Sequence, residues 1–286
     1  MENQKKDVFP EQHQNRHPGK ESEMTPAPIY ESKNYKPSGK LESKVAVITG
    51  GDSGIGKAVA VNFAREGADV AIIYLKENDD ARETEELITG YGRKCYRIAA
   101  DLKQESEAVN AVDSIKNHFG KIDILINNAA VQYPRDSILD IDKNQLANTF
   151  ESNIFSYFYM TKVVLPHLSD GSAIINTASV VAFEGSSELL DYSSTKGAIV
   201  SFTRSMALSL VKQGIRVNAV APGPVWTPLI VSSFSAQEVK TFGSTVPMGR
   251  AAQPYELAPA YVFLACEDSS YMTGQVLHVN GGKIVG

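Results

Sequence analysis

The chain is poor in cysteine. Cys95 and Cys266 are its only two, and they have neither metal-ligand spacing nor the density of a disulfide scaffold. No bound metal is expected, and a reducing cytoplasm is the expected setting. Long apolar runs are missing as well. None reaches the roughly 18 residues that a membrane span needs, so no membrane association is expected. Met1 to Gln14 hold no apolar stretch of the kind a secretory signal carries. Basic blocks are lacking too, with 28 Lys and Arg against 33 Asp and Glu and a net charge of −5. A nucleic-acid surface needs clustered cations, so that class of partner is set aside in favour of a small-molecule substrate. What is there is an ordinary globular balance, 43% hydrophobic and 21% charged, in a length that suits one large α/β domain.

Composition changes near residue 41. From Met1 to Lys40 the chain is polar and carries Pro10, Pro18, Pro26, Pro28 and Pro37. Prolines remove backbone donors and bar long helices, and the scattered apolar residues have no period. Residues 1–40 are expected to form an extended arm without a core of its own, with Val8, Phe9, Ile29, Tyr30 and Tyr35 available to dock it onto the body. Residues 41–286 alternate apolar runs with amphipathic stretches. Val45–Thr49, Val70–Tyr74, Cys95–Ala99, Ile122–Ile126, Ala173–Thr177, Arg216–Ala221 and Val276–Val279 read as strands buried on both faces. Helices are expected after Gly54, near Asp80, over Glu105–Phe119, from a capping-type start at Asp142 with Gln145 on to Leu165 with a break, and over Tyr192–Val211. This alternation predicts a single doubly wound, Rossmann-type α/β domain: a parallel sheet of seven strands with helices on both faces.

The first strand ends in Thr49-Gly50-Gly51-Asp52-Ser53-Gly54-Ile55-Gly56 and runs into a helix. Glycines let the backbone turn tightly and let a pyrophosphate approach. The helix N-terminus then offers free N–H groups and the positive end of its dipole. Glycine turns also occur without a ligand, but this one follows the first strand and opens the first helix of the domain, as a dinucleotide cradle does. Gly50, Asp52, Ser53, Gly54, Ile55 and Gly56 are its candidate contacts. At the end of the second strand, Tyr74-Leu75-Lys76 offers no acid for a ribose 2′-hydroxyl. Lys76 alone reaches toward a 2′-phosphate, which Asp52 would oppose. The expected cofactor is NAD, with some use of NADP.

Tyr192 and Lys196 stand four apart, so on a helix they share a face. In isolation such a pair reads as a solvated helix pair. Its position between the fifth and sixth strands, 13 residues after Ser179, favours chemistry. A free tyrosine has a pKa of about 10 and is a poor base at neutral pH, but a nearby ammonium favours its phenolate. Tyr192 can then take an alcohol proton in oxidation and return it in reduction. Ser179 closes the fifth strand, where ligands gather in open α/β sheets, and its hydroxyl can hold the substrate oxygen. Asn153 lies among Phe150, Ile154 and Phe155, and a buried asparagine there needs partners.

Thr49-Gly50-x-x-x-Gly54-Ile55-Gly56, Asn127-Asn128-Ala129-Ala130, Ser179, Tyr192-Ser193-Ser194-Thr195-Lys196, Pro222-Gly223 and the closing Val279-Asn280-Gly281-Gly282 together resemble the short-chain dehydrogenase/reductase family. The resemblance runs from about Leu41 to the C-terminus. The arm, the Asp52-Ser53 turn and the Asn-Ala-Ala variant are most similar to the bacterial glucose/ribitol-dehydrogenase-like branch. It implies a catalytic set of Asn153, Ser179, Tyr192 and Lys196. Lys196 would also bond the nicotinamide ribose, and Asn153 would hold a water linking Lys196 to solvent. It further implies that Asp101 and Leu102 meet the adenine, that Asn128 and Ala129 support the ribose region, and that Thr227 and the Val225 backbone, after Pro222 and Gly223, meet the carboxamide.

The expected reaction is hydride transfer between the dinucleotide and a carbonyl or alcohol carbon of a small aldehyde, ketone, sugar or polyol. An enoyl reductase of the same fold is a second reading, though such enzymes favour a longer Tyr-to-Lys spacing. A dinucleotide-sensing regulator without turnover is a third. Substrate contacts are expected from Gln132–Pro134, Phe183–Leu190 and Pro224–Arg250, where Trp226, Phe234 and Phe242 either face the substrate or fill a lid core. The stretches Asn153–Leu168 and Ala198–Val211 are apolar on every side, and the parent sheet covers one side only. A homotetramer is expected, the alternative being that the arm folds over those helices.

Overall fold

Strands β1 (Val45–Thr49), β2 (Asp69–Tyr74), β3 (Cys95–Ala99), β4 (Ile124–Asn127), β5 (Ala173–Thr177), β6 (Arg216–Pro222) and β7 (Val276–Val279) form one sheet in the order β3-β2-β1-β4-β5-β6-β7. Every pairing is parallel. The computed structural model describes residues 5–283; residues 1–4 of the expected arm and the closing 284–286 lie outside them. Four strand ends differ from the sequence reading. β2 begins at Asp69, which pairs with Val45. β4 begins at Ile124 and runs on to Asn127, and just before it the Asp123 carboxylate accepts from the Val45 N–H at 2.8 Å. β6 runs on to Pro222, which lacks a donor but still offers its carbonyl to the Val180 N–H at 2.9 Å.

Helices α1 (Gly54–Arg65), α2 (Asn78–Gly90), α3 (Glu105–Phe119), α4 (Lys143–Phe150), α5 (Ser156–Val164), α6 (Val181–Glu184), α7 (Leu190–Leu210), α8 (Pro228–Ser233), α9 (Ala236–Lys240) and α10 (Ala258–Ala265) follow in chain order. α1, α2 and α10 pack on one face of the sheet around Ile48, Ile72 and Tyr261. α3, α5 and α7 pack on the other around Val47, Ile174 and Val217. Asp142 caps α4 by accepting from the Gln145 N–H at 2.8 Å. The break before α5 is a π turn, Glu151–Phe155, where the Ser156 N–H reaches back to the Glu151 carbonyl. β1 has β2 on one side and β4 on the other, so the chain leaves it in opposite directions. That divergence opens a crevice at the carboxyl end of β1.

The arm carries one short helical turn, Glu21–Glu23, and otherwise runs extended across the body. Phe9 stacks on Trp226 with ring centroids 3.8 Å apart, and the fully buried indole donates to the Pro26 carbonyl at 2.8 Å. Trp226 is therefore core, in a small cluster with Met24, Ile230 and Val239. Tyr30 lies under the Lys57 ammonium, 4.6 Å from ring to nitrogen. The described residues of the arm leave the apolar outer sides of the π turn, α5 and α7 uncovered: Phe155, Phe158 and Leu208 remain 44%, 53% and 81% exposed.

Glu66, buried at the end of α1, ties down the arm's last stretch. Its carboxylate accepts from the Tyr35 hydroxyl and from the Ser38 and Lys40 N–H groups, the last two at 3.1 and 2.9 Å. Removing a charged acceptor strands these donors. Glu66→Ala is expected to lower unfolding stability by roughly 2–3 kcal/mol, read as a lower urea midpoint; an unchanged midpoint would contradict this anchoring.

Candidate active site

The crevice at the end of β1 opens into a cavity of about 570 Å³ that runs from the glycine turn to α8 and α9. Its floor is the carboxyl end of the sheet. Gly50, Asp52, Ser53, Gly54 and Ile55 line one wall, with Tyr74, Asp101, Leu102, Asn128 and Ala129. Ser179, Tyr192, Lys196, Pro222, Gly223, Val225 and Thr227 line the other. Three of the sequence candidates stand back from the wall. Gly56 is packed inside the turn, Lys76 is exposed beside it, and Asn153 lies beneath it.

The glycine turn is shaped by close approach. A Cβ on Gly56 would fall 1.9 Å from the Gly50 carbonyl oxygen, and Gly54 has φ +54 with Thr227 side-chain atoms 3.1 Å from where its Cβ would be. The loop after β6 thus reaches across the cavity onto the turn. Asn128 holds the turn from the β4 side, its amide donating to the carbonyls of Thr49 and Gly50 at 3.1 and 3.3 Å. Thr49, which the sequence reading left out of the site, completes the joint by accepting from the N–H groups of Asn128 and Ala129 at 2.8 and 3.1 Å. In the first turn of α1 the Lys57 N–H bonds to the Ser53 carbonyl, and the Gly54 N–H to a carboxylate of the arm, Glu21. Ile55 and Gly56 supply the turn's other two donors. A glycine-walled cradle at a helix N-terminus fits a pyrophosphate.

Around it, Asp101 accepts from the Lys103 N–H at 3.1 Å, and the Tyr74 hydroxyl donates to Asn78 at 2.7 Å. Burial pushes the Asp52 carboxyl up to about 7, with the Asp80 and Glu21 carboxylates adding to the rise. It is therefore only partly charged at neutral pH.

At the other end α7 carries Tyr192 and Lys196 on one face, both buried. The Lys196 ammonium donates to the Thr177 carbonyl at 2.8 Å and lies 5.4 Å from the centroid of the Tyr192 ring. Burial pushes the Tyr192 phenol up to about 12, opposed by a hydrogen bond with Ser179. Burial also pushes Lys196 down to about 7. Both shifts disfavour charge, so a phenolate here depends on its ammonium neighbour more than the sequence suggests. Asn153 commits its amide to the backbone of Val131, donating and accepting at 2.8 Å, and donates to Thr195 at 3.2 Å. Both its hydrogens are thereby taken. It fixes the loop after β4 against α7, and only the second lone pair of its oxygen is left to meet a water.

Gln132, Glu188, Leu189, Phe234 and Phe242 lie on the cavity wall among the stretches expected to meet substrate. The Gln132 amide nitrogen is buried with no hydrogen-bond partner among the described residues. His17, Pro18 and Gly19 of the arm also line the cavity. The sequence carried no sign of this, because an aperiodic polar segment gives no hint of which distant surface it meets. No group of three or more His, Cys, Asp or Glu able to hold a metal occurs among the described residues.

Comparison with known proteins agrees with this architecture. Residues 50–283 match a family model described as enoyl-(acyl carrier protein) reductase. The chain is 55% identical over 283 residues to a glucose and ribitol dehydrogenase of Daucus carota, covering 97% of each. It is 54% identical over 281 residues to the chloroplastic NADPH-dependent aldehyde reductase 1 of Arabidopsis thaliana, covering 96% of this chain and 98% of that protein. A solved short-chain dehydrogenase from Burkholderia cenocepacia J2315, in complex with NADP, superposes with a TM-score of 0.80 at 29% identity, covering 85% of this chain and 98% of that one. The chain belongs to the short-chain dehydrogenase/reductase family and is an NAD(P)-dependent oxidoreductase acting on CH–OH groups.

Proposed function

We propose that this enzyme interconverts the carbonyl and alcohol forms of a small aldehyde, ketone, sugar or polyol, with Tyr192 as general acid and base. The observation that carries the reading is the buried set of Ser179, Tyr192 and Lys196 at the end of β5, in one cavity with the glycine cradle. These residues would hold a nicotinamide dinucleotide, which would supply the hydride in reduction and take it up in oxidation. In reduction the Tyr192 hydroxyl gives its proton to the carbonyl oxygen, Ser179 donates a hydrogen bond to the same oxygen, and the Lys196 ammonium stabilises the phenolate left behind. Oxidation runs the same proton back. Asp101, Leu102, Asn128 and Ala129 would hold the adenosine half, and Pro222, Gly223, Val225 and Thr227 the nicotinamide half.

The names of the carrot and Arabidopsis relatives support the substrate class. The description of the matching family model favours enoyl reduction as a second reading. The four-residue spacing of Tyr192 and Lys196 speaks for carbonyl chemistry, and turnover of an enoyl thioester in place of aldehydes and sugars would decide for the other. We propose NAD as the preferred dinucleotide with NADP also used. Leu75 presents no cation to a 2′-phosphate, which favours NAD, while the lack of an acid at Tyr74 and the raised pKa of Asp52 leave NADP usable. A cytoplasmic setting is proposed on the free thiols of Cys95 and Cys266.

Tyr192→Phe keeps the ring and removes the proton. Its turnover is expected to fall by about 10²–10⁴-fold while dinucleotide binding persists in a fluorescence titration; near wild-type turnover would sink the assignment. Lys196 has its pKa lowered to about 7, so its charged form is present below that pH and lost above it. The rate of carbonyl reduction should accordingly decline as pH rises through neutrality, and a profile flat across that range would contradict the role of the ammonium.

We also propose a homotetramer of two-fold symmetry. Phe155 on the π turn, Phe158 on α5, Leu208 on α7 and Val211 just after it are exposed apolar side chains that a second subunit would cover. Light scattering at micromolar concentration should return a mass near four chains. A monomer mass would end the idea.

A further inference from the structure

The crevice at the end of β1 has two rims, one formed by the residues after β2 and the other by the loop after β4. The arm touches both. Arg16 pairs with Glu77 on the β2 side at 2.6 Å, and the next residue, His17, packs its ring edge-on against Tyr133 on the β4 side with centroids 4.9 Å apart. The same stretch is fastened lengthwise. The Gln14 N–H donates to the Val231 carbonyl of α8 at 2.7 Å, and Gly19 runs so close to α8 that a Cβ would fall 2.6 Å from the Pro228 oxygen. The Gln14 side chain clamps Lys20 in a two-way bond, accepting from its N–H at 2.7 Å and donating to its carbonyl at 2.8 Å. Residues 14–20 thus bridge the mouth of the cavity, with His17, Pro18 and Gly19 on its inner side.

Glu21 ends this bridge, and its position is unusual for a charged residue in a polar arm. It is 6% exposed. One carboxylate oxygen accepts from the Gly54 N–H at 2.7 Å, in the glycine cradle itself, and the other pairs with Lys57 at 2.8 Å. Its own N–H donates to Asp80 of α2 at 3.0 Å. Lys57 is 1% exposed and also pairs with Glu83 at 2.9 Å. A carboxylate this buried persists only where its partners hold it, and those partners are on α1 and α2. Docking of the arm and the shape of the cradle are therefore one structure.

We propose that residues 14–21 are a strap across the dinucleotide site, latched to the cradle by Glu21, and that a bound dinucleotide is enclosed behind it and leaves when the strap lifts. Glu21 is a positioning residue: it acts on the dinucleotide through the Gly54 backbone and through the strap. This rests on the reading of the cavity as a dinucleotide site. It adds that residues outside the sheet-and-helix body govern how long the dinucleotide stays.

The test uses the full-length protein with NADH and NADPH as probes. Release is followed by stopped-flow fluorescence in wild type, Glu21→Gln and Arg16→Ala. Arg16 is partly exposed, so its variant keeps the fold if Glu21→Gln does not. Trypsin cleavage after Arg16 and Lys20 is followed by mass spectrometry with and without dinucleotide. A loosened strap should speed release about tenfold, since most affinity differences between related complexes appear in the dissociation rate. Saturating dinucleotide should slow cleavage at both sites in wild type. Unchanged release in both variants, or cleavage indifferent to dinucleotide, would overturn the strap. A lowered thermal midpoint with unchanged release would reduce Glu21 to a structural anchor and likewise overturn it. Failure of wild type to bind either dinucleotide would instead overturn the dinucleotide site itself, which the binding traces report before any variant is made.

Discussion

Thr177, the last residue of β5, holds the site together. Its carbonyl accepts from the buried Lys196 ammonium at 2.8 Å and from the Tyr157 hydroxyl at 3.3 Å. Its hydroxyl bonds to Tyr261 at 2.8 Å and to Asn128 at 3.3 Å. One strand end thereby joins α7, α5, α10 and the end of β4. A buried ammonium is costly unless polar groups meet it, so these elements have little freedom to shift once Lys196 is in place. Tyr192 sits one helical turn before Lys196 and inherits its position from the same bond. Asn128 carries the constraint onward to the glycine turn through the Thr49 and Gly50 carbonyls. The Tyr192–Lys196 end and the glycine-turn end of the cavity are thus connected through Thr177 and Asn128.

Electrostatics in the cavity follow from how deeply its titratable groups are buried. Tyr192 and Lys196 are pushed toward their neutral forms by burial, and so is Asp52 in the cradle. A neutral phenol suits Tyr192 as a proton donor in the proposed reduction, whereas Lys196 has to keep its charge to stabilise the phenolate, so burial works against it. At the cradle the balance is different. The arm adds a carboxylate, and Lys57 answers it from α1 with an ion pair that is almost fully buried.

Much of this was legible in the sequence because its signals are local. Strands buried on both faces are continuous apolar runs, which set the sheet. The Tyr192–Lys196 spacing put both groups on one helical face, and the glycine turn declared itself by position between strand and helix. Asp142 and Gln145 marked the start of α4 for the same reason. What the sequence did not reveal depends on contacts between distant residues. Glu21 reads as one more acid in a polar arm until Gly54, Lys57 and Asp80 are brought around it. Trp226 could have faced substrate or lid, and only its stacking on Phe9 settles it as core. The break between α4 and α5 was visible, but its form as a π turn that aims Asn153 at Val131 was not.

Lys196 is a buried lysine whose charge is easily lost. Isotope-labelled lysine, assigned by comparison with Lys196→Met, lets the side chain be titrated by NMR in the folded protein. Titration near pH 7 is the result this account predicts. Titration at the ordinary lysine value of 10.5 would show that the group is effectively solvated, and would contradict the dry site on which the proposed proton transfer depends.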